Sequence, residues 1–205
     1  MTLKCKICGV SDPKILKYII NHPYPPKFIG FITNYAKSKR FVKLDKLEKL
    51  IDTNKKETEF VAVLVKPNNE ILENIKNLNF DYYQIYDCSP KDVKYIKSKY
   101  NKKIISAITV ESKFDVNKYK KFLPFSDIIL FDSKGYEKSI GFDHDLLRDI
   151  PNNFKKMIAG NIKINDILNF KNKDYIIDLS GALEDINGNK DKNKIDKFLK
   201  KINNL

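Results

Sequence analysis

The run Glu59-Phe60-Val61-Ala62-Val63-Leu64-Val65 is followed by Asn69-Glu70-Ile71-Leu72-Glu73-Asn74-Ile75-Lys76-Asn77-Leu78 and then by Asp81-Tyr82-Tyr83-Gln84-Ile85-Tyr86. The first and third runs are rich in β-branched and aromatic residues and read as strands. The middle run places Ile71, Leu72, Ile75 and Leu78 on one helical face. A strand, an amphipathic helix and a second strand in direct succession make a parallel βαβ unit, because a parallel neighbour can be reached only by a crossover. The same alternation extends in both directions. Strands are predicted at 3–8, 28–33, 59–65, 81–86, 103–109, 127–132, 155–159 and 175–179, and helices at 13–21, 43–52, 69–78, 90–100, 116–123, 143–149, 164–170 and 192–202. Ser11-Asp12-Pro13 and Ser89-Pro90 supply capping side chains followed by a first-turn proline. Eight such units, at about 26 residues each, close naturally into a small (βα)8 barrel of the α/β class. An open doubly wound sheet would carry a glycine-rich loop after its first strand, where Gly9 stands alone. No linker or shift in composition divides the chain, so residues 1–205 are expected to form a single domain.

With 42% hydrophobic residues in 205, the chain can bury one sizeable core. Its apolar runs, such as Ile128-Ile129-Leu130-Phe131, fall far short of the ~20 residues that cross a bilayer. The first residues lack the apolar stretch of a signal peptide, which points to a cytoplasmic protein with no membrane partner. Three cysteines do not make a disulfide framework. The formal charge of +13 invites a nucleic-acid reading, but the excess is nearly all lysine spread over helix positions, and Arg40 and Arg148 are the sole arginines. Phosphate and base-edge recognition favours arginine, so the charge reads as a solvated surface and no nucleic-acid partner is expected.

In such a barrel, chemistry sits at the C-terminal ends of the strands and in the loops that follow. Those ends carry Cys8, Gln84-Ile85-Tyr86, Asp132 and Asp178, with Arg40 in the loop after the second strand. Side chains alternate along a strand, so Lys6 and Cys8 share one face while Cys5 and Ile7 share the other. Cys5 and Cys8 therefore cannot meet, and with no second ligand pair no metal site is expected.

Lys6-Ile7-Cys8-Gly9, Ser38-Lys39-Arg40-Phe41-Val42, Phe131-Asp132-Ser133, Ala159-Gly160 and Asp178-Leu179-Ser180 with Glu184, Gly188 and Lys190-Asp191 occur in order at these strand ends. In this the chain resembles the phosphoribosylanthranilate isomerases of tryptophan biosynthesis over nearly its whole length. The resemblance implies an Amadori rearrangement of N-(5-phosphoribosyl)anthranilate to 1-(2-carboxyphenylamino)-1-deoxyribulose 5-phosphate, with no metal or organic cofactor and a phosphorylated small molecule as partner. It implies Asp132 as general acid and Cys8 as general base. A basic surrounding is expected to favour the Cys8 thiolate, and burial to keep Asp132 protonated. By the same resemblance Arg40 takes the anthranilate carboxylate, Asp178 lies near the substrate amine, and Gln84 and Tyr86 contact substrate. Gly160, Asn161, Ser180 and Gly181 are expected to hold the phosphate through backbone N–H groups, with no dedicated side-chain cation.

The chain departs from the family pattern in these loops. Ala-Gly-Gly-Leu becomes Ala159-Gly160-Asn161-Ile162, Ser-Ser-Gly-Val-Glu becomes Ser180-Gly181-Ala182-Leu183-Glu184, Gly-Gly-Thr-Gly is reduced to Ser139-Ile140-Gly141, and Gln-Leu-His-Gly reads Gln84-Ile85-Tyr86-Asp87. Asn161 tolerates positive φ and so can keep the backbone shape. Two rivals stand beside this reading: a histidine-pathway-like phosphosugar isomerase, which pairs aspartates at strands one and five, and an inactive basic barrel that binds nucleic acid. The sequence leaves a homodimer open.

Overall fold

The computed structural model describes residues 3–134, 141–171 and 173–205, and the sixth-loop residues Ser139 and Ile140 lie outside them. Strands β1 (Lys4–Cys8), β2 (Phe28–Ile32), β3 (Glu59–Val65), β4 (Tyr82–Tyr86), β5 (Lys103–Val110), β6 (Ile128–Ser133), β7 (Lys156–Ile158) and β8 (Tyr175–Leu179) form a closed barrel in sequence order. Each pairs in parallel with the next, and β8 returns to β1 with Lys6 beside Asp178. The expected (βα)8 barrel is thus the observed fold, with each strand near its predicted place.

Helices α1 (Pro13–Ile20), α2 (Leu44–Ile51), α3 (Asn69–Ile75), α4 (Pro90–Tyr100) and α7 (Lys192–Asn203) follow the sequence signals closely. Asp12 accepts the Ile15 N–H at 2.9 Å to start α1. Ser89 and Asp92 cap α4 reciprocally, and Asp191 accepts two N–H groups at the start of α7. The second half of the chain differs from expectation. The helix expected over 116–123 is two short turns, α5 (Lys113–Val116) and α6 (Tyr119–Phe122). It starts earlier because Asp115 accepts the N–H groups of Glu111 and Ser112, and it ends where Pro124 has no N–H to give. The helices expected at 143–149 and 164–170 are 3₁₀ turns, His144–Leu147 and Ile164–Phe170. Their backbone bonds run over three residues, with the Leu146 N–H donating to the Asp143 carbonyl and the Asp166 N–H to the Lys163 carbonyl. Among the described residues no helix is long and apolar enough to cross a membrane.

Alternation along the strands sorts the buried residues into two layers. Outward-facing Ile7, Ile29, Phe31, Phe60 and Tyr83 pack against Leu16, Ile19, Leu47, Ile96 and Phe198 of the helices. Inward-facing Phe28, Val61, Tyr82, Ile105, Leu130 and Met157 fill the barrel's lower half. Above them the interior turns polar, with Lys6, Gln84 and Asp178 buried there. Gly30 makes this possible: a Cβ on it would lie 3.0 Å from both Cys8 Sγ and Lys6 Cε. The bare backbone of β2 is the space into which the β1 side chains lean.

Cys5 lies in the outer layer, 3% exposed. Cys5→Ser, which puts a hydroxyl into that apolar shell, is expected to lower stability by about 1 to 2 kcal/mol in urea unfolding while leaving kcat unchanged.

Candidate active site

A cavity of about 410 Å³ opens at the C-terminal ends of the strands. Cys8, Arg40, Tyr86, Asp132, Gly160, Asn161, Asp178, Ser180 and Gly181 all line it, as the strand-end reading required. Gln84 does not. It is wholly buried beneath the floor, and its amide donates to the Tyr86 hydroxyl at 3.1 Å. The expected contact of Gln84 with substrate is corrected on this ground: its position on β4 is one full alternation too deep.

Under Cys8 lies a group that the sequence reading quoted without assigning a role. Lys6 Nζ donates to Asp178 Oδ2 at 2.6 Å, with both side chains almost fully buried. The signal was a lysine two residues before a strand-end cysteine, since that spacing puts an ammonium on the cavity side of the barrel. Burial disfavours the Lys6 charge, but Asp178 and Cys8 override it and its pKa is raised. Asp178 Oδ1 is buried at the cavity wall with no hydrogen-bond partner among the described residues. A buried, unpaired acceptor beside a cavity suits a donor on a ligand.

Burial pushes the Cys8 thiol above its ordinary value, and the lowering by Lys6 does not make up for it because Asp178 acts in the opposite direction. The expectation that a basic setting favours the thiolate is therefore corrected: Lys6 limits the rise rather than reversing it. For Asp132 burial acts in the expected direction. Burial raises its carboxyl to about 6 against the donation of the Tyr86 hydroxyl, so it keeps a proton near neutrality far better than a solvated aspartate.

Arg40 is held before any ligand arrives. Its Nε and one terminal nitrogen donate to Glu184 at 2.5 and 2.8 Å, and its stem crosses where a Cβ of Gly9 would be. One edge of the fork is thus spent on Glu184, which leaves the far end to face a ligand. Lys190 ties the same loop together, donating to Glu184 at 2.7 Å and to the Ser180 carbonyl at 3.0 Å.

Gly160 and Asn161 both adopt left-handed backbone, at φ 90° and 53°. Asn161 thus keeps the turn, as its side-chain type allows. Gly181 opens a three-residue 3₁₀ turn, Gly181–Leu183, across the cavity from it. Lys163, an exposed residue, also lines the same cavity.

The sequence matches the family described as N-(5'phosphoribosyl)anthranilate (PRA) isomerase over residues 5–201. It is 35% identical over 206 residues to an N-(5'-phosphoribosyl)anthranilate isomerase of Campylobacter jejuni, covering 98% of each chain. Its fold is similar to that of phosphoribosyl anthranilate isomerase from Thermotoga maritima, with a TM-score of 0.87 at 20% identity over 99% of this chain and all of that one. A phosphoribosyl anthranilate isomerase in complex with reduced 1-(o-carboxyphenylamino)-1-deoxyribulose 5-phosphate gives 0.85, also at 20% identity, over 99% of this chain and all of that one.

Lys6→Gln keeps a donor for Asp178 but removes the positive charge under Cys8. The thiol pKa is expected to rise further, and alkylation of Cys8 by iodoacetamide at pH 8, followed by peptide mass spectrometry, to slow about tenfold for each unit of that rise. An unchanged rate would mean that Lys6 does not act on the thiol.

Proposed function

Since the chain belongs to the N-(5'-phosphoribosyl)anthranilate isomerase family and is an isomerase of tryptophan biosynthesis, we propose that Cys8 and Asp132 carry its two proton transfers. The observation that supports this most directly is that both side chains, from β1 and β6, open onto one cavity large enough for a phosphorylated sugar joined to an aromatic ring.

The reaction demands an acid before it demands a base. Asp132, protonated below about pH 6, gives its proton to the furanose ring oxygen. The C1–O bond breaks as the nitrogen lone pair forms a Schiff base, and the carboxylate is left behind. The iminium acidifies the C2 proton, which Cys8 takes as thiolate, and the resulting enolamine tautomerises to the aminoketone. Lys6 stabilises the thiolate electrostatically when it forms, and Asp178 Oδ1 is placed to accept the substrate N–H. The outer end of the Arg40 guanidinium takes the anthranilate carboxylate while Glu184 fixes its plane. The phosphate sits between Gly160-Asn161 and Ser180-Gly181 on backbone N–H groups, with Lys163 at the rim supplying positive charge. A cytoplasmic setting fits the three free thiols, Cys5, Cys8 and Cys88.

Cys8→Ala and Asp132→Asn are each expected to lower kcat by at least about a hundredfold with a much smaller change in KM, measured by following product formation. Near-normal kcat in both would remove the assignment. Arg40→Ala should act mainly on KM, with Arg40→Lys restoring only part because a point charge lacks the planar end that Glu184 aligns. Gly160→Val should weaken binding of the phosphorylated substrate and leave the thiol chemistry of Cys8 intact. Its Cβ would press to 3.0 Å from the Ser133 amide nitrogen, in a backbone conformation that β-branched residues avoid.

A further inference from the structure

Tyr86 stands where the family pattern has histidine, and its hydroxyl reaches across the interior instead of only bounding the cavity. From β4 it donates to Asp132 Oδ2 on β6 at 2.8 Å. The strand between them, β5, presents Ala107 to the same inner layer, and so small a side chain leaves the passage open. Below, Gln84 Nε2 donates to the phenol oxygen at 3.1 Å. That amide occupies an acceptor position of the phenol and turns the O–H toward the carboxyl. Asp132 Oδ1 meanwhile accepts the Ser133 N–H at 2.8 Å. Both carboxyl oxygens are thereby assigned, and the plane of the group is fixed from two sides.

We propose that Tyr86 is a positioning residue for Asp132: its phenol, braced by Gln84, orients the carboxyl toward the substrate and stabilises the carboxylate left once the proton has been given. This rests on the reading of Asp132 as the acid. The argument is one of opposed forces. Burial alone would make Asp132 hold its proton too tightly to be a useful donor, whereas a phenol that donates to Oδ2 favours the ionised product of the transfer. The other groups that bear on Asp132 are Asp178 of β8, which raises it, and Lys6 of β1, which lowers it. Cys8 of β1 and Asp178 bear on the phenol itself, and burial together with Asp132 holds the phenol un-ionised, so it serves as a neutral donor.

The test is a ¹³C NMR titration of the Asp132 carboxyl, assigned by its loss in Asp132→Asn, in the parent protein and in Tyr86→Phe, beside kcat and KM against pH. Loss of a hydrogen bond to the charged form should raise the Asp132 midpoint by about one pH unit or more. The Asp132-dependent limb of the kcat profile should move the same way, and kcat should fall about tenfold or more with KM nearly constant. Gln84→Leu should move the midpoint in the same direction by less. An unmoved midpoint in Tyr86→Phe, or an effect confined to KM, overturns the inference. If the midpoint is unmoved while Asp132→Asn is inactive, the acid assignment stands alone. If the midpoint shifts while Asp132→Asn is fully active, it is the acid assignment that falls.

Discussion

The contact between Lys6 and Asp178 is the constraint around which the upper half of the barrel is arranged. It joins neighbouring positions on β1 and β8, the seam where the sheet closes on itself. Two opposite charges at this depth are tolerable only as a pair, because either one alone would meet the full cost of leaving water. The pair makes a polar stratum above an otherwise apolar interior, and everything reactive is layered on it. Cys8 lies one alternation above Lys6, and Gly30 on β2 gives up its side chain so that both can lean inward. The neutral lower half, packed with Phe28, Val61, Leu130 and Met157, supplies the rigidity that keeps those charges together.

The two groups to which we assign the proton transfers are set by different balances. Cys8 is dominated by desolvation, and Lys6 and Asp178 partly cancel each other there. Asp132 is desolvated as well, but it has two hydrogen-bond donors of its own, and it comes to rest near neutrality. The contrast follows from geometry. The Cys8 thiol at the end of β1 has Lys6 and Lys190 to favour its charge but Asp178 against it, whereas the carboxyl on β6 is reached by a phenol from β4 and by the next peptide N–H.

Around this centre the loops trade one kind of group for another without losing the shape. Asn161 takes a left-handed conformation that the family fills with glycine, because its short polar side chain tolerates that backbone. Glu184 and Lys190 anchor Arg40 and the Ser180 carbonyl, so the eighth loop is held by charge-assisted bonds and does not rely on its short 3₁₀ turn.

Much of this was legible in the chain itself. The β-branched and aromatic runs and the period-3.6 run from 59 to 86 marked the βαβ unit, and their recurrence marked the closed barrel, because composition and hydrophobic pattern are local properties that each segment carries alone. The assignment of Cys8 to the inside and Cys5 to the outside followed from alternation by the same reasoning. The short turns near 116, 144 and 164 were less legible, since a span of four to seven residues is helical only as far as its caps and contacts allow. What the chain could not state is which side chains of distant strands meet. Lys6 is 172 residues from Asp178, Arg40 is 144 from Glu184, and Tyr86 is 46 from Asp132. Those distances in sequence vanish only when the sheet closes and a single low-dielectric interior forces each polar group to find a partner. Sequence therefore determined the scaffold and the reactive residue types. Tertiary structure decided their charge states, because desolvation and cross-barrel hydrogen bonds do not exist until the barrel does.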